Sequence, residues 1–320
     1  MSEIRKGYIG NDYVVFSTNR AKRPHAFSKS QEKIASKGKC AFCRGNEHMT
    51  PKAIKEVPRG KWKVRLIPNK FPALCEVPFK GEEGKGLFKH YKPYGYHEIL
   101  IETPEHNKEF HELSEEQLEL CFKTLIERYK ELLEKKKIVY VTVFKNEGKM
   151  AGASLGHTHS QIIASPVFPK KISEKMETSE KYYEKEERCP YCDIIKQEKR
   201  IKKRIVTENK EFFVLCPYAS TEWIYETWIL PKKHISDISE LTPVQQKYLV
   251  KTMKKLIANY TKLFGDLPYH IIYNSFPKSD FWHFHIEIIP RLKVYGGFEH
   301  FGLYINEILP EYAAKKLRFR

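Results

Sequence analysis

The stretch with the clearest chemical potential is Gly156-His157-Thr158-His159-Ser160-Gln161, followed by the apolar run Ile162-Ile163-Ala164. Val141 to Phe144 and Ile162 to Ala164 both read as strands, so a strand is predicted for the motif as well. Side chains two apart on a strand share a face, which puts His157, His159 and Gln161 in one row. An imidazole is a capable nucleophile toward phosphorus, and a nearby amide can donate to a phosphoryl oxygen. The row is therefore a candidate site for covalent phosphoryl or nucleotidyl transfer. A His-x-His metal pair and a half-buried polar strand are the other readings, and so short a motif has many false matches.

The elements that must position this row lie in a chain of 320 residues with 41% hydrophobic content, enough for two ordinary domains or one large one. No apolar run approaches the length of a membrane span, and Met1 to Arg5 lacks the hydrophobic segment of a signal peptide. A cytoplasmic protein with reduced thiols is expected. The net charge of +17 raises the question of nucleic acid. Its lysines, however, are spread through Glu-rich helical stretches such as Glu127 to Lys137 and Lys181 to Arg188, the pattern of a solvated surface or of a thermophile. Nucleotides or sugar phosphates are thus expected as partners in preference to a polymer.

In chain order, strand-like Tyr13 to Phe16 leads into Ser17 to Pro24, where Arg20 and Arg23 could fork onto a phosphate. Strands are predicted over Lys61 to Ile67 and His97 to Glu102. Ser114-Glu115-Glu116-Gln117 is a capping box opening a helix with Leu118, Cys121, Phe122, Leu125, Tyr129 and Leu132 on its apolar face. A strand over Ile138 to Phe144 then leads through Asn146, Gly152 and Ser154 to the opening motif. The second half repeats this plan. Thr242-Pro243-Val244-Gln245 caps a second helix with Leu249, Met253, Leu256, Ile257, Tyr260 and Phe264 inward. His270 to Tyr273 is a strand, and His283-Phe284-His285-Ile286-Glu287-Ile288-Ile289 matches the motif position by position. The expected fold class is α+β, a duplicated unit of antiparallel sheets, each with a long crossing helix. The expected domains are 1–170, catalytic, and 171–320, joined through polar residues 170–188.

Each half also carries a Cys-x-x-Cys, a histidine before the helix, and the first histidine of its His-x-His. These sets are Cys40, Cys43, His106 and His157, and Cys189, Cys192, His234 and His283. Two sulfurs and two imidazoles suit a closed tetrahedral zinc site. The ligands lie too far apart for a zinc finger, whose span is about 30 residues. Redox-active or unrelated cysteine pairs are the alternative, and the recurrence of the set in equivalent places argues against it.

Arg20 to Pro24, Cys40 to Glu47, Asn69 to Leu74, Phe144 to Gln161 and Gly296 to Glu299 together resemble the galactose-1-phosphate uridylyltransferase branch of the histidine triad superfamily. The resemblance implies a histidine-triad-like unit in each half, His159 as nucleophile and Gln161 steadying the attacked phosphate. It implies that Asn69, Asn146, Gly152 and Ser154 line the nucleotide and phosphate pocket and that Arg20 and Arg23 hold the sugar phosphate. The tail residues Phe298 and Glu299 join the substrate side, and a homodimer is implied. Two structural zinc ions are expected, with iron as the alternative at one. Thr158 stands where the family has proline, and Gly297-Phe298-Glu299 is similar to phosphorylase-like and thermophile members. The expected reaction is exchange between UDP-glucose and galactose 1-phosphate through a nucleotidyl-histidine. ADP-glucose phosphorolysis, a dinucleotide-processing histidine triad activity and, from a different class, a zinc-stabilised RNA-binding protein are the alternatives.

Overall fold

The computed structural model describes residues 3–6, 13–16, 40–220, 224–294 and 296–319. They fall into two compact units. One comprises Met1–Lys108, Leu120–Val143 and His157–Lys175, and the other Glu109–Glu119, Phe144–Gly156 and Met176–Arg320.

In the first unit β1 (Glu3–Lys6) pairs with β2 (Tyr13–Phe16). β3 (Lys55–Val57) and β4 (Val64–Pro68) form an antiparallel pair, so the strand expected from Lys61 begins only at Val64. The hairpin of β5 (Glu82–Lys85) and β6 (Phe88–Tyr91) completes a small antiparallel sheet in the order β2-β1-β6-β5. β7 (Tyr96–Ile101) is followed by helix α1 (Glu115–Leu133), β8 (Tyr140–Glu147) and β9 (His159–Ser165). β7 pairs with β4 on one side and β9 on the other, both antiparallel. Gly95 makes the entry to β7 possible: at φ +144° a Cβ there would sit 2.2 Å from the Ala164 carbonyl oxygen.

The second unit continues from α2 (Lys170–Glu186), the polar stretch 170–188 being largely helix, to α3 (Pro190–Ile201). β10 (Ile205–Glu208), β11 (Phe212–Leu215) and β12 (Thr227–Pro231) precede the second long helix, α4 (Pro243–Phe264). β13 (Tyr269–Asn274), β14 (His285–Pro290) and α5 (Pro310–Leu317) follow. Here the antiparallel order is β10-β11-β12-β14-β13. The run β4, β7, β9 of the first unit recurs as β11, β12, β14, so the duplication read in the sequence is present in the strand order as well.

The helices start where their capping residues put them. Ser114 Oγ accepts from the Gln117 amide at 3.1 Å, and Thr242 and Gln245 cap each other's backbone N–H at 3.2 and 3.0 Å. All six apolar positions expected on α1 are buried, as are five of the six on α4, Phe264 being half-buried. The α1 side of the first sheet carries a buried ion pair. Arg128 reaches Glu98 of β7 through two bonds, Nε to Oε2 at 2.8 Å and Nη2 to Oε1 at 2.6 Å, and Glu98 is only 3% exposed.

Removing one partner of such a pair leaves a buried charge without compensation. Arg128→Met should therefore destabilise the protein by about 3–5 kcal/mol, and adding Glu98→Gln should recover most of that loss. Urea unfolding of the two variants checks both parts.

Candidate active site and metal centres

β9 begins at His159, not at Gly156, so His157 and Thr158 lie just before the strand. Ladder pairing with β7 starts at Ile101 opposite His159. One residue further, Glu102 N–H reaches Thr158 O by a long bond of 3.4 Å. The His157 carbonyl is turned instead to its own strand, where it accepts from His159 Nδ1 at 2.7 Å. The expected row is thus two strand residues, His159 and Gln161, with a histidine before them held by other means.

Antiparallel register puts His159, Gln161 and Ile163 on one face with Ile101, Ile99 and His97 of β7. The opposite face carries Ser160 and Ile162 with Leu100 and Glu98, and it is the face α1 covers through Arg128. Just past the end of β7 on this covered side, Glu102 is 2% exposed and accepts from both Thr158 Oγ1, at 2.8 Å, and Ser160 Oγ, at 2.6 Å. A buried carboxylate is tolerable only with such donors. Glu102 thereby pins the backbone on either side of His159 from below. Thr158 supplies one of the two donors.

On the upper face, His159 is 5% exposed, with the Phe42 ring edge-on at a centroid distance of 5.3 Å. A carbonyl oxygen can only accept, so His159 carries its hydrogen on Nδ1 and its lone pair on Nε2. Gln161 Oε1 lies 3.0 Å from His97 Nε2. Asn69 Nδ2 approaches that same nitrogen at 3.1 Å, while Asn69 Oδ1 accepts from the Phe71 amide at 2.9 Å. His159, Gln161 and Asn69 are therefore gathered in the first unit.

Asn146, Gly152 and Ser154 belong to the second unit. Asn146 Oδ1 lies 2.9 Å from His270 Nδ1, and a Cβ on left-handed Gly152, at φ +81°, would stand 3.9 Å from Asn146 Nδ2. Ser154 is exposed in a bend. In the tail, Glu299 is buried and its Oε2 accepts from the Gly296 amide at 3.0 Å, so the carboxylate closes its own short turn while Phe298 is half-exposed. Arg20 and Arg23 lie outside the described residues.

Both expected ligand sets converge. In each, the four donor atoms lie within 4.8 Å of one another. Cys40 Sγ is 3.6 Å from His157 Nδ1, and Cys43 Sγ is 3.3 Å from His106 Nδ1 and 3.7 Å from His157 Nδ1. Cys192 Sγ is 3.5 Å from His234 Nδ1 and 3.6 Å from His283 Nδ1. A tetrahedral ion with metal–sulfur bonds of about 2.3 Å and metal–nitrogen bonds of about 2.0–2.1 Å would separate sulfur from nitrogen by about 3.6 Å. The far nitrogens agree with this. Nε2–H of His157 donates to Thr103 O at 2.7 Å, that of His283 to Pro231 O at 3.0 Å, and that of His234 to Ser279 O at 3.2 Å. Each ring therefore turns its Nδ1 lone pair inward, the arrangement of a ligating histidine with its supporting carbonyl. The hydrogen bond from Cys189, followed by those from His234 and His283, lowers the Cys192 thiol far below its ordinary range. The Cys189 thiol rises, first through its bond with Cys192 and then through burial. Each cluster can hold a metal ion.

The second His-x-His is built differently around its second histidine. His285 Nδ1 donates to His283 O at 2.9 Å, as in the first motif. But Tyr191, Trp228 and Trp282 pack around the His285 ring at 4.8, 5.4 and 5.7 Å, and the ring is fully buried. Glu287, in the place of Gln161, lies 3.4 Å from His285 Nε2.

His97 and Glu102 escaped the sequence reading as site residues, and so did the aromatics inside each Cys-x-x-Cys, Phe42 and Tyr191. The available signal was two polar residues, His97 and Glu98, opening an otherwise apolar strand.

A fold of two compact α+β units, each with its Cys/His cluster and one with the strand that carries His159 and Gln161, defines a class that the comparisons identify. Residues 2–169 match the model of the galactose-1-phosphate uridyl transferase N-terminal domain and residues 175–319 that of the C-terminal domain. The chain belongs to the galactose-1-phosphate uridyl transferase family. It is 32% identical to ADP-glucose phosphorylase of Arabidopsis thaliana, over 99% of this chain and 92% of that one. It is 30% identical to galactose-1-phosphate uridylyltransferase of Thermotoga maritima, over 99% and 98%. Among solved structures it is similar to that of the Arabidopsis thaliana ADP-glucose phosphorylase with bound ADP-glucose. That match has 29% identity and a TM-score of 0.77, with 99% of each chain covered. No helix among the described residues is long and apolar enough to cross a membrane.

If each cluster holds one ion, Cys40→Ser and Cys189→Ser should each lose about one metal equivalent per chain and lower the melting temperature, since a closed site contributes folding free energy. Elemental analysis of protein purified without chelator checks the stoichiometry, and a thermal melt checks the stability.

Proposed function

We propose that the protein is a nucleotidyltransferase that moves a nucleotidyl group from a nucleoside diphosphate sugar to a second phosphate through a covalent nucleotidyl-His159. The observation that carries this reading is the tautomer of His159: its Nδ1–H is donated to the His157 carbonyl at 2.7 Å, which leaves the basic lone pair on Nε2. In the first step that lone pair forms the bond to the α-phosphorus, and the bond from phosphorus to the bridging oxygen breaks. Sugar 1-phosphate then leaves with the electron pair. In the second step an oxygen of the acceptor phosphate forms the new bond, and the phosphorus–nitrogen bond breaks to restore neutral His159. The His157 carbonyl takes up part of the positive charge that builds on the ring between the steps. A phosphate leaving group is a weak base, so positioning and charge stabilisation are the main demands on the protein.

In this reading Gln161 donates to a phosphoryl oxygen, and Asn69, Asn146, Gly152 and Ser154 line the nucleotide and phosphate pocket. Arg20 and Arg23 fork onto the sugar phosphate, while Phe298 and Glu299 lie toward the sugar. Residues 1–170 form the catalytic half and 171–320 the companion half. The donor sets suit zinc in both clusters, with iron as the alternative in one. When bound by Cys40, Cys43, His106 and His157, the ion would supply rigidity to the residue two before the nucleophile. His285 has no part in the chemistry, because three aromatic rings pack around it and Glu287 would repel a phosphate. Exposed Phe301, Leu303 and Leu309 in the tail are consistent with a homodimer.

The favoured substrates are UDP-glucose and galactose 1-phosphate. ADP-glucose with inorganic phosphate is a second reading, supported by the 32% identity to the Arabidopsis thaliana phosphorylase and by the tail Gly297-Phe298-Glu299, which carries no lysine for a hexose phosphate.

With nucleotide-labelled donor, the wild type and His285→Ala should retain label on the protein, whereas His159→Ala should retain none and keep its circular dichroism. Label retained by His159→Ala would exclude the covalent mechanism. Steady-state kcat/KM for the two substrate pairs decides between the readings, with UDP-glucose and galactose 1-phosphate expected to be the faster pair.

A further inference from the structure

We infer that His97 is a positioning residue for the transfer reaction, setting which end of the Gln161 amide faces the phosphate. The inference rests on the role proposed for Gln161.

The Ala73 N–H donates to His97 Nδ1 at 3.0 Å, so Nδ1 carries the lone pair and the neutral ring bears its hydrogen on Nε2. That nitrogen lies 3.0 Å from Gln161 Oε1. A donor there can be satisfied only by the oxygen of the amide, so Gln161 holds its carbonyl toward His97 and turns its NH2 away. The flipped amide would set NH2 against N–H on one side and aim an oxygen lone pair at phosphoryl oxygens on the other. Asn69 Nδ2, at 3.1 Å from the same Nε2, is also a donor in this tautomer and makes no bond to it; the Phe71 amide holds Asn69 Oδ1, which leaves Gln161 Oε1 as the acceptor for the ring hydrogen.

The geometry needed for this is already in the sheet. His97 stands opposite Ile163 and Gln161 opposite Ile99, so the two polar side chains are diagonal neighbours on the face that carries His159. His97 is 4% exposed, and its ring is held from the loop after β4 by Ala73. A glutamine amide rotates readily about its last bond. Its O/N direction near a nucleophile is therefore an entropic liability that a fixed donor removes.

The test is a double-mutant cycle on the full-length enzyme with the faster of the two substrate pairs. His97→Phe keeps an aromatic ring and removes the donor, and kcat should fall by about 10- to 100-fold, less than the roughly 100- to 1000-fold of losing a donor to the reacting group outright, because Gln161 itself remains. His97→Gln, whose amide nitrogen reaches the place of Nε2, should restore most of the rate. In the Gln161→Ala background, His97→Phe should have almost no further effect, which a merely structural role would not produce. If His97→Phe fails to fold, His97→Asn, whose shorter amide cannot reach Gln161, takes its place against His97→Gln. An unchanged kcat in the His97 variant, or losses that multiply with those of Gln161→Ala, overturns the proposal while leaving the role of Gln161 standing. A wild-type kcat in Gln161→Ala itself overturns both.

Discussion

A carbonyl oxygen can accept a hydrogen bond but never give one, and this one-sidedness governs the chemistry of five imidazoles in the chain. Thr103, Pro231 and Ser279 present carbonyls to Nε2 of His157, His283 and His234, which forces the lone pair of each ring onto Nδ1 and into its cluster. The carbonyls of His157 and His283 face Nδ1 of the histidine two residues on, which forces the lone pairs of His159 and His285 onto Nε2. The backbone thus assigns opposite tautomers to histidines two residues apart. The same His157 residue serves both ends: its ring points into the cluster and its carbonyl polarises His159. A shift of this one residue would disturb ligand geometry and nucleophile together.

The two halves use this device with opposite outcomes because of what packs above the second histidine. Between the cysteines of the first pair stands Phe42, edge-on to His159 at 5.3 Å. Its counterpart Tyr191 tilts over His285 at 4.8 Å, and Trp228 and Trp282 fill the remaining directions. Burial, and next the Glu287 charge, hold the Tyr191 phenol protonated, so the second half presents a packed aromatic core where the first has a single ring edge-on to His159. Duplication supplied two scaffolds of the same strand order, and side-chain volume made the surroundings of their second histidines different.

Around His159, β7 and β9 divide their side chains by face. The upper face carries His97, Gln161 and His159, and the lower face carries the acidic groups Glu98 and Glu102 with their donors Arg128, Thr158 and Ser160. Charge is thereby kept on the helix side of the sheet, where each carboxylate has fixed partners, and away from the face that would meet an anionic phosphate.

The duplication, both long helices with their caps and the two Cys/His sets that converge were all legible in the sequence. Each rests on local rules: a capping box, a 3.6-residue period, or a spacing that recurs in both halves. Strand limits were less legible. His157 lies outside β9 because its carbonyl is taken by a side chain, a choice no propensity records. Nor could the sequence reveal that Glu102 clamps Thr158 and Ser160, or that His97 faces Gln161, since both depend on antiparallel register between segments far apart in the chain. The order of residue types fixed which groups are available for chemistry. Only the tertiary structure decided which nitrogen of each ring holds the proton, because that is set by the carbonyl that folding brings opposite it.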